Sequence, residues 1–289
     1  MARFLVVHNR KLSWKWRGDV LACAIAESLS EIGHEVQSST TTLGARHKEG
    51  HLVLIGAQAA ACVKGHWPGQ VHLYNVSEAH LLKRHWLASF IKHAKAGGWK
   101  TRRWDSVWDY SPNNAEAIRG FGFGESVYMP VGYHPSFEIP GLDERHDLGF
   151  LGQVHRNSPR SVAMYTCAQL GLPVTLCSDG ALRSRVFLHI HSRPHGRNFA
   201  GCRIIQLGLS NRRAMVAEES DWIPPGLAAS GVHFRTFAPG DYDGMIRESR
   251  FLLENEEERL AMAARGYEFV SQNWRMVDHV RAGLKELGI

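Results

Sequence analysis

Short apolar runs alternate with helix-period segments along the whole chain, and the alternation occurs twice. Phe4–Val7 is an unbroken apolar run of strand type. Residues 19–32 then carry Val20, Ala24, Leu29 and Ile32 at helical spacing, and Gly33 closes the segment. Strands are expected over Glu35–Ser38, His51–Gly56 and Val71–Val76. A helix is expected over 81–94, with Leu82, Trp86, Leu87, Phe90, Ile91 and Ala94 on one side, followed by short strands at Ser106–Tyr110 and Ser126–Pro130. The stretch Pro135–Gly141 reads as a linker. A second series follows: strand Leu148–Leu151, helix 159–170, strands Val174–Cys177 and Val186–Ile190, helix 199–208, strands Ala214–Ala217 and Val232–Phe234, and helices 241–254, 256–270 and 275–287. Strands that alternate with helices pair in parallel, because the crossover helix covers the sheet. The expected architecture is two doubly wound α/β domains, each with its ligand position outside the carboxyl ends of the strands.

Composition narrows the class. With 289 residues the chain has length for one large domain or two of ordinary size, and its 44% hydrophobic content excludes disorder as the main state. No run approaches the roughly 20 apolar residues of a membrane span, and Phe4–Val7 is too short for a signal-peptide core. The five cysteines form no CxxC pair and are odd in number, so a reducing, cytoplasmic compartment is expected.

Charge is uneven. Residues 1–140 carry 16 Lys and Arg against 11 Asp and Glu, whereas residues 141–289 carry 18 against 17. Residues 83–104 hold seven cations and no acid. Loop 9–17 interleaves Lys11, Lys15 and Arg17 with Trp14 and Trp16, and segment 99–108 repeats the theme with Lys100, Arg102, Arg103 and three tryptophans. Cations for phosphates beside aromatics for stacking is a nucleic-acid composition. A basic amphipathic helix over 81–95, with Trp86 and Phe90, equally suits an anionic membrane surface. A solvated basic face over core tryptophans is the third reading.

Familiar nucleotide motifs are missing: there is no GxxxxGK[ST], and Gly120–Gly124 precedes a strand, so it reads as a turn. Asp241-Tyr242-Asp243 is a DxD that opens a helix, where a cap is the expected role. His189, His191 and His195 have no nearby acid to complete a ligand set, so no metal is expected. His189 is assigned to core packing, with a substrate contact open to His191.

Several segments resemble one family. The ending Leu29-Ser30-Glu31-Ile32-Gly33-His34-Glu35-Val36 is similar to the first βαβ unit of GT-B glycosyltransferases. Tyr128–Phe137 resembles their interdomain segment. Asp147–Gly152 with Arg156 and Pro159-Arg160 resembles the first strand and loop of their donor domain. Leu188–His191, Arg203-Ile204-Ile205 and Met215–Glu218 match a pattern in bacterial and phage members, and Glu258-Arg259 and Ala263–Gly266 resemble their tail. Gln206 stands where many relatives carry Glu.

The resemblance implies a GT-B fold, two Rossmann-like domains facing a central crevice. It divides the chain into an acceptor domain over 1–138, a nucleotide-sugar donor domain over 139–274 and a helix, 275–289, crossing back. It implies transfer of a hexose from a nucleotide-sugar, with UDP-glucose the expected donor and no cofactor required. Donor contacts are expected from Gly152, Arg160, His191, Arg203 and Glu218, with the arginines on the diphosphate and Glu218 on the ribose hydroxyls. Glu219 would point the other way on a strand. Asp19 and Glu78 are the candidates for a base that takes the acceptor proton, and each could equally be a helix cap. Phage members that glucosylate hydroxymethylated pyrimidines in DNA are similar in size and charge, which makes DNA the expected acceptor, bound by Lys11, Trp14, Lys15, Trp16, Arg17, Lys100, Arg102 and Arg103. The alternatives are a lipid-linked or polysaccharide acceptor at a membrane, and a non-catalytic DNA-binding protein on the same scaffold. A monomer is expected.

Overall fold

The computed structural model describes residues 1–8, 18–41, 49–56, 59, 62–63, 67–76, 104–120, 125–176, 178–192, 199–227 and 231–289. It divides into two compact units, Met1–Gly132 with Met276–Ile289, and Tyr133–Arg275.

The first unit is built on a six-stranded sheet in the order β2-β1-β3-β4-β5-β6. Its strands are β1 (Arg3–His8), β2 (Glu35–Ser39), β3 (His51–Ile55), β4 (Gln70–Asn75), β5 (Ser106–Asp109) and β6 (Glu125–Tyr128), all parallel. The runs are apolar on successive residues because both faces are covered. Leu5, Val7, Leu52, Leu54, Leu73 and Val107 share one core with Ile118 of helix α2 (Pro112–Gly120). Helix α1 (Gly18–Glu31) lies against β1 and β2 and buries Leu21, Ala24, Ile25 and Leu29. Helix α8 (Met276–Glu286) belongs to this unit and packs on α1. A Cβ on its Gly283 would run into the Met129 side chain, which follows β6.

The second unit repeats the plan with five parallel strands in the order β11-β10-β9-β7-β8. These are β7 (His146–Phe150), β8 (Val174–Thr175), β9 (Ser184–His189), β10 (Ala214–Glu218) and β11 (Arg235–Phe237). On one face Leu188, Ile190 and Val216 pack with helices α3 (Pro159–Gln169), α6 (Tyr242–Glu254) and α7 (Glu256–Asn273). On the other, Phe187, Met215 and Ala217 pack with α4 (Ser178–Leu182), and with a distorted helix that begins as α5 (Gly201–Arg203) and continues as a π turn over Ile204–Gly208. From β7 the chain winds to β8 on one side and then to β9 on the other, so the topological switch point of this sheet lies between the ends of β7 and β9. Gly149 makes this possible: a Cβ there would overlap Ser184 Oγ and the Ala181 carbonyl.

Four local expectations are corrected. The strand expected at Val232–Phe234 lies three residues later, at Arg235–Phe237, because a turn with Gly231 at φ 82° occupies the earlier position. The helix expected over 199–208 is α-helical only for Gly201–Arg203 before it widens into the π turn. The strand expected over Val174–Cys177 is confined to Val174–Thr175. Helices α2 and α4 were not expected: α2 has the composition Pro-Asn-Asn-Ala-Glu-Ala-Ile-Arg-Gly, too polar to show a periodic apolar face. The helix expected over 81–94 and the Gly122–Gly124 turn lie outside the described residues.

Candidate functional site

The carboxyl ends of β7, β9 and β10 collect Gly152, Arg160, His189, His191, Arg203 and Glu218 within the second unit. Glu218 is the last residue of β10 and is buried. Its Oε2 accepts from the His191 amide at 2.8 Å and its Oε1 from the Gly240 amide at 3.3 Å. Two backbone donors from two loops thus fix the carboxylate at the carboxyl end of β10. Glu219 is exposed and faces away.

Arg160 enters from the first turn of α3, where Ser158 and Ser161 form a reciprocal capping box. Its Nε donates to the Ile190 carbonyl at 2.9 Å, just past β9, and its Nη1 to the Gln153 carbonyl at 3.2 Å. Gly152 is required beneath it: a Cβ would meet the Phe150 ring at 2.6 Å and Arg160 Nη1 at 3.3 Å. The loop backbone therefore passes flush against the guanidinium.

Arg203 ends α5. Its Nη1 is buried without a hydrogen-bond partner, and no ion pair engages it among the described residues. Burial, and then the proximity of Arg160, push the guanidinium down to about 10, still cationic at neutral pH. An unpaired buried donor on a cation is costly. The π turn that follows is a second departure from regular structure, of a kind frequent at functional sites. Gln206 is buried within it.

His189, assigned from sequence to the core, is buried at this site with Nε2 lacking a partner. Burial, and then His191, Arg203 and Arg160, hold it well below the usual histidine value, so it is neutral at pH 7. The His191 ring meets it edge-on at 4.8 Å and places Nε2 3.2 Å from Ser220 Oγ. His189 lies on the Phe187 face of β9, which packs in the core beside the distorted helix, so its burial agrees with the core expectation.

Other expectations fall differently. Asp241 is the N-cap of α6 and accepts from the Gly244 amide at 2.8 Å, which accounts for the DxD. Asp19 is exposed in the first turn of α1. Glu78, Lys11, Trp14, Lys15, Trp16, Arg17, Lys100, Arg102, Arg103 and His195 lie outside the described residues. A buried carboxyl that the sequence did not single out, Asp109 at the end of β5, is pushed up to about 7 by burial. It accepts from Asn75 Nδ2 at 2.6 Å and from the Ser111 amide at 2.9 Å, so it ties β4 to the start of α2.

No protein-family model matches the sequence, and the curated proteins give no match. Solved structures do match. Sucrose-phosphate synthase from Thermosynechococcus elongatus is similar with a TM-score of 0.61 at 10% identity, over 100% of this chain and 98% of that one. Anabaena HepE, solved in complex with UDP and glucose, gives 0.59 at 12% identity over the whole of both chains. WaaG, a glycosyltransferase involved in lipopolysaccharide biosynthesis, gives 0.53 at 11% identity over 98% of each. The fold is GT-B. In this GT-B chain the switch point of the second sheet combines a fixed carboxylate with two partly buried guanidinium groups, a set of groups suited to a polar anion that also carries hydroxyls.

An unsatisfied buried cation is expected to cost stability. Arg203→Met, which keeps the volume and removes the charge, should raise the thermal midpoint by about 2–4 °C, equivalent to about 1 kcal/mol in a chain of this size. A lowered midpoint in a thermal melt would show instead that Arg203 holds the fold together.

Proposed function

We propose that this chain is a glycosyltransferase that moves a hexose from a nucleotide-sugar, with UDP-glucose the expected donor, to a hydroxyl acceptor. The observation that carries the proposal is the buried, unpartnered Nη1 of Arg203 in the same strand-end cluster as Arg160 and the amide-fixed Glu218. Arg160 and Arg203 take the diphosphate, and Glu218 accepts from the ribose hydroxyls. Gly152 lets the loop backbone come close to the phosphates, and His191 lines the sugar side. That HepE was solved with UDP-glucose supports the choice of donor.

In the reaction the acceptor oxygen forms a bond to the anomeric carbon as the bond from that carbon to the phosphate oxygen breaks. The nucleoside diphosphate leaves with the electron pair. The charge it gains is met by guanidinium groups already in place, which is how preorganised cations lower such a barrier. The hydroxyl proton passes to a base of the first unit, Asp19 or Glu78 in this proposal. No metal and no cofactor enters.

The acceptor we propose is a hydroxymethylated pyrimidine in DNA, which places the protein in the cytoplasm, that of the host if a phage encodes it. It rests on the seven cations without an acid in 83–104, and on Trp14 and Trp16 among Lys11, Lys15 and Arg17. A second reading, a lipid-linked or polysaccharide acceptor at a membrane surface, draws on the likeness to WaaG. In either case no helix of the described residues is long and apolar enough to cross a membrane.

Two outcomes check this. A charge-assisted hydrogen bond contributes about 1.5–3 kcal/mol, so Glu218→Ala should weaken UDP-glucose binding at least about tenfold in calorimetry. Unchanged affinity removes Glu218 from the site. For the acceptor, DNA binding should fall with salt at a log–log slope of about −0.9 per phosphate contact. Reversing Lys100, Arg102 and Arg103 together should flatten the slope and spare donor binding. Salt-sensitive binding to anionic vesicles, without a DNA shift at low salt, favours the membrane reading.

A further inference from the structure

His189 has no part in the roles assigned above, yet it is buried among them with an unpartnered Nε2. It occupies the α5 face of β9, beside Ala217 of β10. The charged and titratable groups that face it are Arg203 from α5, Arg160 from α3 and His191 from the end of its own strand. Cys202 sits next to Arg203, and Glu218, one strand over, is held by the His191 and Gly240 amides. The field at the His189 ring is therefore positive, and a proton there has two cations against it.

We propose that His189 takes up a proton when the diphosphate of a nucleotide-sugar enters this site and gives it back when the nucleoside diphosphate leaves. The inference rests on the donor reading given above. A diphosphate brings two negative charges to the position that Arg160 and Arg203 address. At an effective dielectric near 20, one charge about 5 Å away moves a pKa by about two units. Two such charges offset the repulsion from the two guanidinium groups, and the charge-assisted hydrogen bond that a protonated Nε2 gives to a phosphate oxygen works against the larger effect, desolvation by burial. The incoming proton comes from solvent and settles on Nε2, which then donates to a phosphate oxygen and gains the partner it lacks in the free protein. Protonated His189 adds a third cation under the leaving group while its charge grows. Once the product departs, the guanidinium groups expel the proton again.

Linkage fixes the sign. A ligand that raises the affinity of a site for protons is itself bound more tightly when protons are abundant, and the coupling is reciprocal. UDP-glucose affinity should therefore strengthen as pH falls from 8 to 6, approaching about tenfold per pH unit for one full proton.

The test is calorimetry of UDP-glucose binding to the full chain at pH 7, in buffers of different ionisation enthalpy. This probe is chosen because its diphosphate is a diester, doubly ionised throughout the range, so any proton exchanged belongs to the protein. The expected result is net uptake approaching one proton per UDP-glucose for the parent protein and none for His189→Gln. Binding of UDP-glucose by the parent protein without proton uptake overturns the inference and leaves the donor reading standing, whether or not any variant folds. Uptake that persists in folded His189→Gln also overturns it, since another group then carries the proton. If UDP-glucose, ADP-glucose and GDP-mannose all fail to bind, the donor reading falls and takes this inference with it.

Discussion

A guanidinium nitrogen buried without a protein partner, Nη1 of Arg203, is the constraint around which the second unit is arranged. Arg203 is desolvated and repelled by Arg160, and its Nη1 makes no hydrogen bond. Removing water from such a group costs several kcal/mol unless something compensates. The surrounding structure supplies rigidity in place of compensation. The π turn after Arg203 is buried along its whole length, over Ile204, Ile205, Gln206, Leu207 and Gly208. At Gly208, a Cβ would overlap the Met215 side chain of β10, so turn and strand are in direct contact. A strained or unsatisfied element that is over-determined by its neighbours is the usual signature of a functional position.

The other residues of the cluster are positioned by the same topology. The switch-point topology brings the ends of β7 and β9 side by side, and it is the glycines at 149 and 152 that allow the close approach. Arg160 reaches across from α3 to the Ile190 carbonyl, which links the first loop of the unit to the end of its central strand. Glu218 closes the far side through amides on two loops. These groups arise from four separate stretches of sequence, yet each sits at a strand end or in a first or last helical turn. That is the distribution expected when rigid elements position a site and loops complete it.

Much of the architecture was legible because parallel sheets covered on both faces write themselves as continuous apolar runs. Phe4–Val7 and Val186–Ile190 could be placed to within a residue or two for that reason. The tandem arrangement followed from the repeat of strand and helix patterns, although the stretch read as a linker, Pro135–Gly141, lies inside the second unit, which begins at Tyr133. Elements whose burial is not periodic were lost. Helix α2 is held by Asn114, Ala115 and Ile118 and by hydrogen bonds around Asp109, none of which forms an apolar stripe. The π turn departs from a 3.6-residue period, so an α-helical template mistook it for ordinary helix. The arginines and Glu218 were singled out through likeness to GT-B enzymes and lie together at the strand ends, while His189 was expected in the core and is buried there. At 10–12% identity the GT-B fold is retained while most side chains differ, which fits a scaffold defined by backbone winding more than by particular core residues.

Arg203 Nη1 is proposed to be kept unpaired for a phosphate. The most direct measurement is a crystal structure of the full chain soaked with UDP-glucose. The account predicts a diphosphate oxygen within hydrogen-bond distance of Arg203 Nη1, with the ribose hydroxyls on the Glu218 carboxylate. A nucleotide-sugar bound elsewhere, with Arg203 Nη1 still unpartnered and Glu218 untouched, would contradict it.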